Sequence, residues 1–181
     1  KALIVSGEYA DMNLVEIAES QGRPFADVII DWEYGGPRTA HFTQNADVQD
    51  VFITAADVAI ATDGSPTMRH PRSYGTYPKI IQEYVVEEER LPLTRAVRKM
   101  SGLPAEIVGL EDRGTLAMGN RADILVFDPE AVRANATWTE PHLYPAGFDY
   151  ILVNGRVAVA SGTLSEDTFG RVLRNRQEPL P

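Results

Sequence analysis

Residues 57–61, Asp57-Val-Ala-Ile-Ala61, form a short, nearly all-apolar run that ends at the turn Thr62-Asp63-Gly64-Ser65-Pro66. A strand apolar at consecutive positions is buried on both faces, as in a parallel sheet covered by helices. The elements before it fit that reading. Ala2–Ser6 reads as a strand, and Asp11 as the N-cap of a helix over about 12–21 with Leu14, Ile17 and Ala18 on one face. Pro24 opens a second helix, with Phe25, Val28, Ile29 and Trp32 along one stripe, and Gly35-Gly36-Pro37 stops it. Arg38–Thr43 is a short strand, and Asn45 caps a helix expected to turn Val48, Val51 and Phe52 inward. Strand, helix, strand, helix, strand is the α/β signature.

The second half reads differently. A helix is expected over 77–89, with Ile80, Ile81, Tyr84 and Val85 apolar. Thr94 can cap the next helix, which carries Ala96, Val97 and Met100, and Pro104–Val108 adds a short helical turn. From Asp112 onward the pattern turns to strands: Ala122–Phe127, then 151–153 and 156–160 joined by Asn154-Gly155, the strongest short hairpin signal. Residues 129–148, with Pro129, Pro141 and Pro145, read as a long surface loop. Lys1 runs directly into an apolar segment, which suggests an interior piece of a longer protein.

Composition removes several classes of function. The net charge of −9 argues against a nucleic-acid or anionic-membrane surface, and no run of about 18 apolar residues could span a bilayer. There is no cysteine, so neither a disulfide framework nor a thiolate metal site can form, and a cytoplasmic setting is expected.

Chemistry concentrates after the apolar run. Asp63 stands at its C-terminal end, and His70, Arg72, Ser73 and Tyr74 follow within one loop. A carboxylate at a strand end can take a proton from water or ligate a metal. Asp-Gly alone reads more readily as a simple turn. Arg72 adds a planar fork suited to a carboxylate, and together these groups put a functional reading level with the bland one. His41, inside a short strand, is more simply a satisfied core histidine, His142 a loop residue, and Glu87-Glu88-Glu89 a solvated helix end. Three scattered histidines without cysteine make no zinc site, so no metal ligand is assigned within the chain.

Ala61-Thr-Asp-Gly-Ser-Pro66 followed by His70-Pro-Arg-Ser-Tyr-Gly-Thr76 resembles the signature of the N-acyl-D-amino-acid deacylases (D-aminoacylases) of the amidohydrolase superfamily. The similarity runs over roughly residues 55–175, through Leu103-Pro-Ala105, Asp112-Arg-Gly114, 122–129, Pro141-His142 with Tyr144-Pro145, and Val153-Asn-Gly155. It implies a metal-dependent (β/α)8 TIM barrel with a small β-sandwich. Residues 1–110 would be the last part of the barrel, ending with its eighth strand at Asp57–Thr62, and residues 111–181 a contribution to the sandwich.

By the same resemblance Asp63 is the general base, Arg72 holds the substrate's α-carboxylate, and His70 and Ser73 are neighbouring substrate-binding residues. The implied substrate is a small N-acyl-D-amino acid, and the implied cofactor is zinc. The loop between Asp63 and His70 is shorter than the family's. The family's His-x-His pair and its other metal ligands have no match here, so the zinc ligands are expected upstream of Lys1.

The chain would then need a missing N-terminal half or self-association, and alone would not hydrolyse N-acetyl-D-amino acids. Two alternatives stay open: a cyclic amidohydrolase resembling dihydroorotases and hydantoinases, and a non-catalytic assembly fragment with exposed strand edges.

Overall fold

The computed structural model describes residues 2–5, 7–32, 36–37, 39–41 and 45–173. Parts of the expected strands and turn, including Ser6, Gly35, Arg38, Phe42 and Thr43, lie outside the described residues.

The N-terminal unit is built on a local cap. Strand β1 (Ala2–Ile4) leads to helix α1 (Leu14–Gln21). Its N-cap is Asn13 rather than the expected Asp11. The Asn13 side chain accepts from Val15 and Glu16 N–H, and Glu16 reaches back to the Asn13 N–H at 2.7 Å, a complete capping box. Asp11 instead takes a left-handed backbone and donates its N–H to Ile4. Helix α2 (Phe25–Asp31) follows, but only Val28 of its apolar stripe is buried. Ile4, Ile17, Ala18 and Val28 form a small core, flanked by Tyr9, Met12 and Trp32. Strand β2 (Thr39–His41) pairs antiparallel with β1, not through a parallel crossover, with Ala2 opposite His41.

Helix α3 (Ala46–Thr54) begins, as expected, at Asn45, whose side chain accepts from Asp47 and Val48 N–H. Its apolar residues do not turn inward: Val48, Val51 and Phe52 are all more than half exposed. Residues 57–61 form no strand: Asp57 lies in a turn and 58–61 have no regular structure. A parallel strand needs a ladder partner, and no described strand runs beside this segment; Ile60 N–H instead donates to the Lys99 carbonyl at 2.9 Å. Helix α4 (Arg72–Lys79) starts five residues earlier than the sequence suggests. It passes through Pro78 into a π-helical stretch, Ile80–Glu87. Helices α5 (Leu93–Met100) and α6 (Gly102–Ile107) follow, and α5 is preceded by Pro92 rather than capped by Thr94. Ile60, Ile80, Tyr84, Leu91 and Ala96 form the second core.

One polar knot ties α3 to the π-helical stretch. The Tyr84 hydroxyl donates to Asp50, and Arg90 pairs with the same carboxylate at 2.8 Å. These two contacts, the tyrosine's first, hold the Asp50 carboxyl below its usual range. A carboxyl depressed in the folded state stabilises it above the unfolded pKa, and the contribution is lost as pH falls through the folded value. Acidification below the usual carboxylate range is therefore expected to loosen α3. Thermal melts across that range should show a flatter pH dependence for Asp50→Asn; an identical slope would contradict this role. Burial, then the bond to Asp50, pushes the Tyr84 phenol well above the ordinary tyrosine range. The alkaline side of the knot therefore survives until high pH.

The C-terminal part is a four-stranded antiparallel sheet in the order β3 (Ile124–Phe127), β4 (Phe148–Val153), β5 (Arg156–Ala160), β6 (Thr163–Leu164). The predicted hairpin is present, with Asn154 and Gly155 at φ 51° and 79°. Asn154 is also a junction. Its side-chain oxygen accepts from Arg113, its amide donates to the Phe169 carbonyl, and its N–H donates to Asp123. Arg113 pairs in turn with Asp123. No residue of this sheet is buried, although more than one residue in each of β3, β4 and β5 is partly covered.

Residues 129–148 are not a free surface loop. Val132 is fully buried, Arg133 and Ala146 exchange backbone hydrogen bonds, and Ala134 N–H donates to the Gln82 side chain at 2.9 Å.

Candidate active site

The candidate site forms where the segment after residue 61 lies against the first turn of α4. Gly64 makes this approach possible. A Cβ there would stand 2.8 Å from Ser73 Cα and 2.9 Å from its Oγ, closer than real contacts allow. The close packing sets Asp63, at φ 46°, beside Arg72, and Arg72 Nη2 lies 2.9 Å from Asp63 Oδ2. Arg72 is thus a helical residue, not a loop residue, and its guanidinium is turned back toward the turn.

The expected base and the expected carboxylate clamp therefore hold each other. Asp63 is 89% exposed and Arg72 36%, so the pair is a solvated one worth about 0–1 kcal/mol. A carboxylate ligand could replace Asp63 on Arg72 at small cost.

His70 supports this turn from below. Its Nδ1 accepts the Arg72 N–H at 3.1 Å, which leaves the hydrogen of the neutral ring on Nε2. Burial, then the Arg72 cation, lowers the His70 pKa, with Asp63 opposing. The ring is therefore neutral at pH 7, a donor rather than a cation. Ser73 packs on Gly64, and its Oγ, like Arg69 Nε and Arg72 Nε, is out of solvent without a hydrogen-bond partner. Three such atoms within five residues leave polar capacity unused at one place.

The segment 137–144 returns across this turn. The Trp138 ring meets His70 edge-on at 4.5 Å, His142 Nε2 contacts the Met68 carbonyl at 3.0 Å, and Tyr74 stacks near both His142 and Tyr144. Arg69 reaches the Thr139 carbonyl at 3.4 Å. Sequence reasoning left Trp138, Tyr144 and Arg69 out of the site. Two signals were available: the density of aromatic and histidine residues in a supposed loop, and the family resemblance at Pro141-His142 and Tyr144-Pro145.

His41 sits in β2, and its side chain lies outside the described residues. Among the described residues, no group of three or more His, Cys, Asp or Glu side chains converges on a point that could hold a metal. No described helix is long and apolar enough to cross a membrane.

The model of the Amidohydrolase family matches residues 15–159. The chain belongs to this family. The amidohydrolase chain is 44% identical over 117 residues to the N-acyl-D-glutamate deacylase of Alcaligenes xylosoxydans xylosoxydans, covering 64% of itself and 24% of that relative. The crystal structure of a D-aminoacylase superposes with a TM-score of 0.82 at 31% identity, over 94% of this chain and 37% of that one. The N-acyl-D-glutamate deacylase of Bordetella bronchiseptica, solved with zinc and a phosphonate mimic of the tetrahedral intermediate, gives 0.74 at 32% identity, over 89% and 36%. The fold is thus that of the amidohydrolase superfamily, and the chain spans about a quarter to just over a third of these proteins' length.

Proposed function

We propose that this chain supplies the proton-transferring aspartate and the carboxylate-binding arginine of a deacylase of N-acyl-D-amino acids. The observation that carries the reading is the 2.9 Å contact between Asp63 and Arg72. It supports the reading because a carboxylate and a guanidinium that lie this close are within reach of one small ligand. In an N-acyl amino acid the α-carboxylate and the scissile carbonyl are three bonds apart.

The reaction is hydrolysis of an amide. Arg72 exchanges Asp63 for the substrate's α-carboxylate, which fixes the substrate and frees Asp63. Asp63 takes a proton from the attacking water as the new C–O bond forms. It then returns that proton to the leaving nitrogen as the C–N bond breaks. His70 holds the start of α4 through its Nδ1, and Trp138 limits the ring's motion. Ser73 contributes the close approach to Gly64.

The described residues do not fit a zinc site on their own, so no step is routed through the metal. The proposal places zinc, which would polarise the amide carbonyl, on ligands in the remainder of the protein. The same remainder would cover the groove between α3, residues 58–61 and the π-helical stretch, a cavity of about 510 Å³ with Val48, Phe52, Ile53 and Ile60 in its wall. It would also cover the sheet. Residues 1–110 would belong to the barrel and 111–181 to the sandwich. A missing half or a second copy would complete both.

A substrate panel on the complete zinc-loaded protein tests the reading. N-acyl-D-glutamate, N-acyl-D-aspartate and a neutral N-acyl-D-amino acid should turn over, and hydantoins and dihydroorotate should not. Turnover of the cyclic amides alone would move the assignment to that class, and turnover of nothing would favour an assembly fragment.

A further inference from the structure

Lys99 is the one charged side chain among the described residues with no exposed surface at all. It lies on the inner face of α5, between Ala96 and Met100, yet the reaction proposed above gives it no role. Its ammonium donates to the carbonyls of Ala55 and Val58, and its own carbonyl accepts the Ile60 N–H at 2.9 Å. A single residue thus makes three hydrogen bonds to the segment 55–60, which leads from the end of α3 to Asp63. These contacts stand where the sequence suggested a parallel ladder. Ile60, between them and the catalytic turn, is itself anchored in the second core.

We propose that Lys99 is the positioning residue for Asp63: it fixes the depth and direction of the 55–60 segment, and through it the place of the carboxylate opposite Arg72. This rests on Asp63 being the base. A buried ammonium needs carbonyl partners to offset lost hydration, and the two carbonyls here need a donor because no described strand supplies one. Burial lowers the Lys99 pKa, with Arg95 adding to the shift and Asp57 opposing it. The group nonetheless keeps two acceptors that suit its charged form. An uncharged apolar replacement would leave the Ala55 and Val58 carbonyls unpaired and the segment free to slide.

The experiment compares Lys99→Met, Lys99→Gln, Lys99→Arg and Asp63→Asn in the complete zinc-loaded protein, with kcat and KM for N-acyl-D-glutamate measured on the folded fraction recovered by gel filtration. Displacing a catalytic group by about 1 Å can cost on the order of a hundredfold. Lys99→Met is therefore expected to lower kcat roughly a hundredfold with KM within about twofold, and Lys99→Arg, which keeps charge and donors, to recover part of the loss. A purely structural role would reduce the yield of folded protein without changing kcat per folded molecule. Should Lys99→Met fail to fold, Lys99→Gln, whose shorter uncharged side chain cannot hold both carbonyls in the same place, carries the test, and parental kcat in it would overturn the proposal. Parental kcat in Lys99→Met, with Asp63→Asn inactive, overturns the positioning role and leaves the base intact. Activity in Asp63→Asn overturns both.

Discussion

Asp63→Asn in the complete enzyme is expected to remove measurable deacylation while leaving its zinc content unchanged. General-base catalysis contributes about 10²–10⁴-fold, and under the proposed mechanism one carboxylate would serve both halves of the proton transfer. The substitution is a clean probe. Asn matches Asp in size and is, like Asp, at ease in the left-handed backbone that residue 63 adopts at φ 46°. Gly64 would still pack on Ser73, and Arg72 would lose only an exposed ion-pair partner. Steady-state kinetics on N-acyl-D-glutamate, with elemental analysis of the same preparation, reads both quantities. Retained turnover would rule out the base; loss of zinc along with turnover would make Asp63 a metal residue instead.

Arg72→Ala should act mainly on KM. A hydrogen bond to a charged group is worth about 1.5–3 kcal/mol, which corresponds to a rise of roughly ten- to a hundredfold. The helix start should survive, because the bond from Arg72 to His70 uses the backbone N–H and not the guanidinium. Discrimination between an N-acyl-D-amino acid and its α-amide should collapse at the same time, since the amide never had the ionic contact to lose. Arg72→Lys keeps the charge but not the planar fork and should fall between. Unchanged KM for the acid in Arg72→Ala would contradict the clamp.

The parts of this molecule legible in its sequence are those whose physics is local. Asn45 caps α3 through two N–H groups within three residues of it, and Asn154-Gly155 turns the hairpin with its own backbone. The nearness of Asp63 and Arg72 was half legible, because nine residues containing a Gly-Ser-Pro turn can fold back on themselves.

What was not legible depends on distant partners. An apolar run such as 57–61 becomes a strand only beside another strand, and here α5 supplies the bonds. Lys99 occupies an apolar face among Ala96 and Met100, where a lysine ordinarily reads as solvated. The contact of His142 with Met68 joins residues 74 apart, and nothing in the proline-rich stretch announces where it returns. The outward Val48, Val51 and Phe52 followed helical spacing faithfully; spacing identifies a common face without saying what lies against it.

The hairpin turn also carries a chemical clock. Asn-Gly is the dipeptide most prone to deamidation, through attack of the glycine nitrogen on the asparagine side chain. In the folded chain that nitrogen donates to the Ala122 carbonyl at 2.8 Å, while the Asn154 amide is held by Arg113 and Phe169. Both reactants are immobilised, so native protein should age slowly at this bond. Each episode of unfolding releases them. The aspartate that results would bring a second negative charge beside Asp123 and remove the donor to Phe169, so protein stored unfolded would return to a weaker sheet than the one it left.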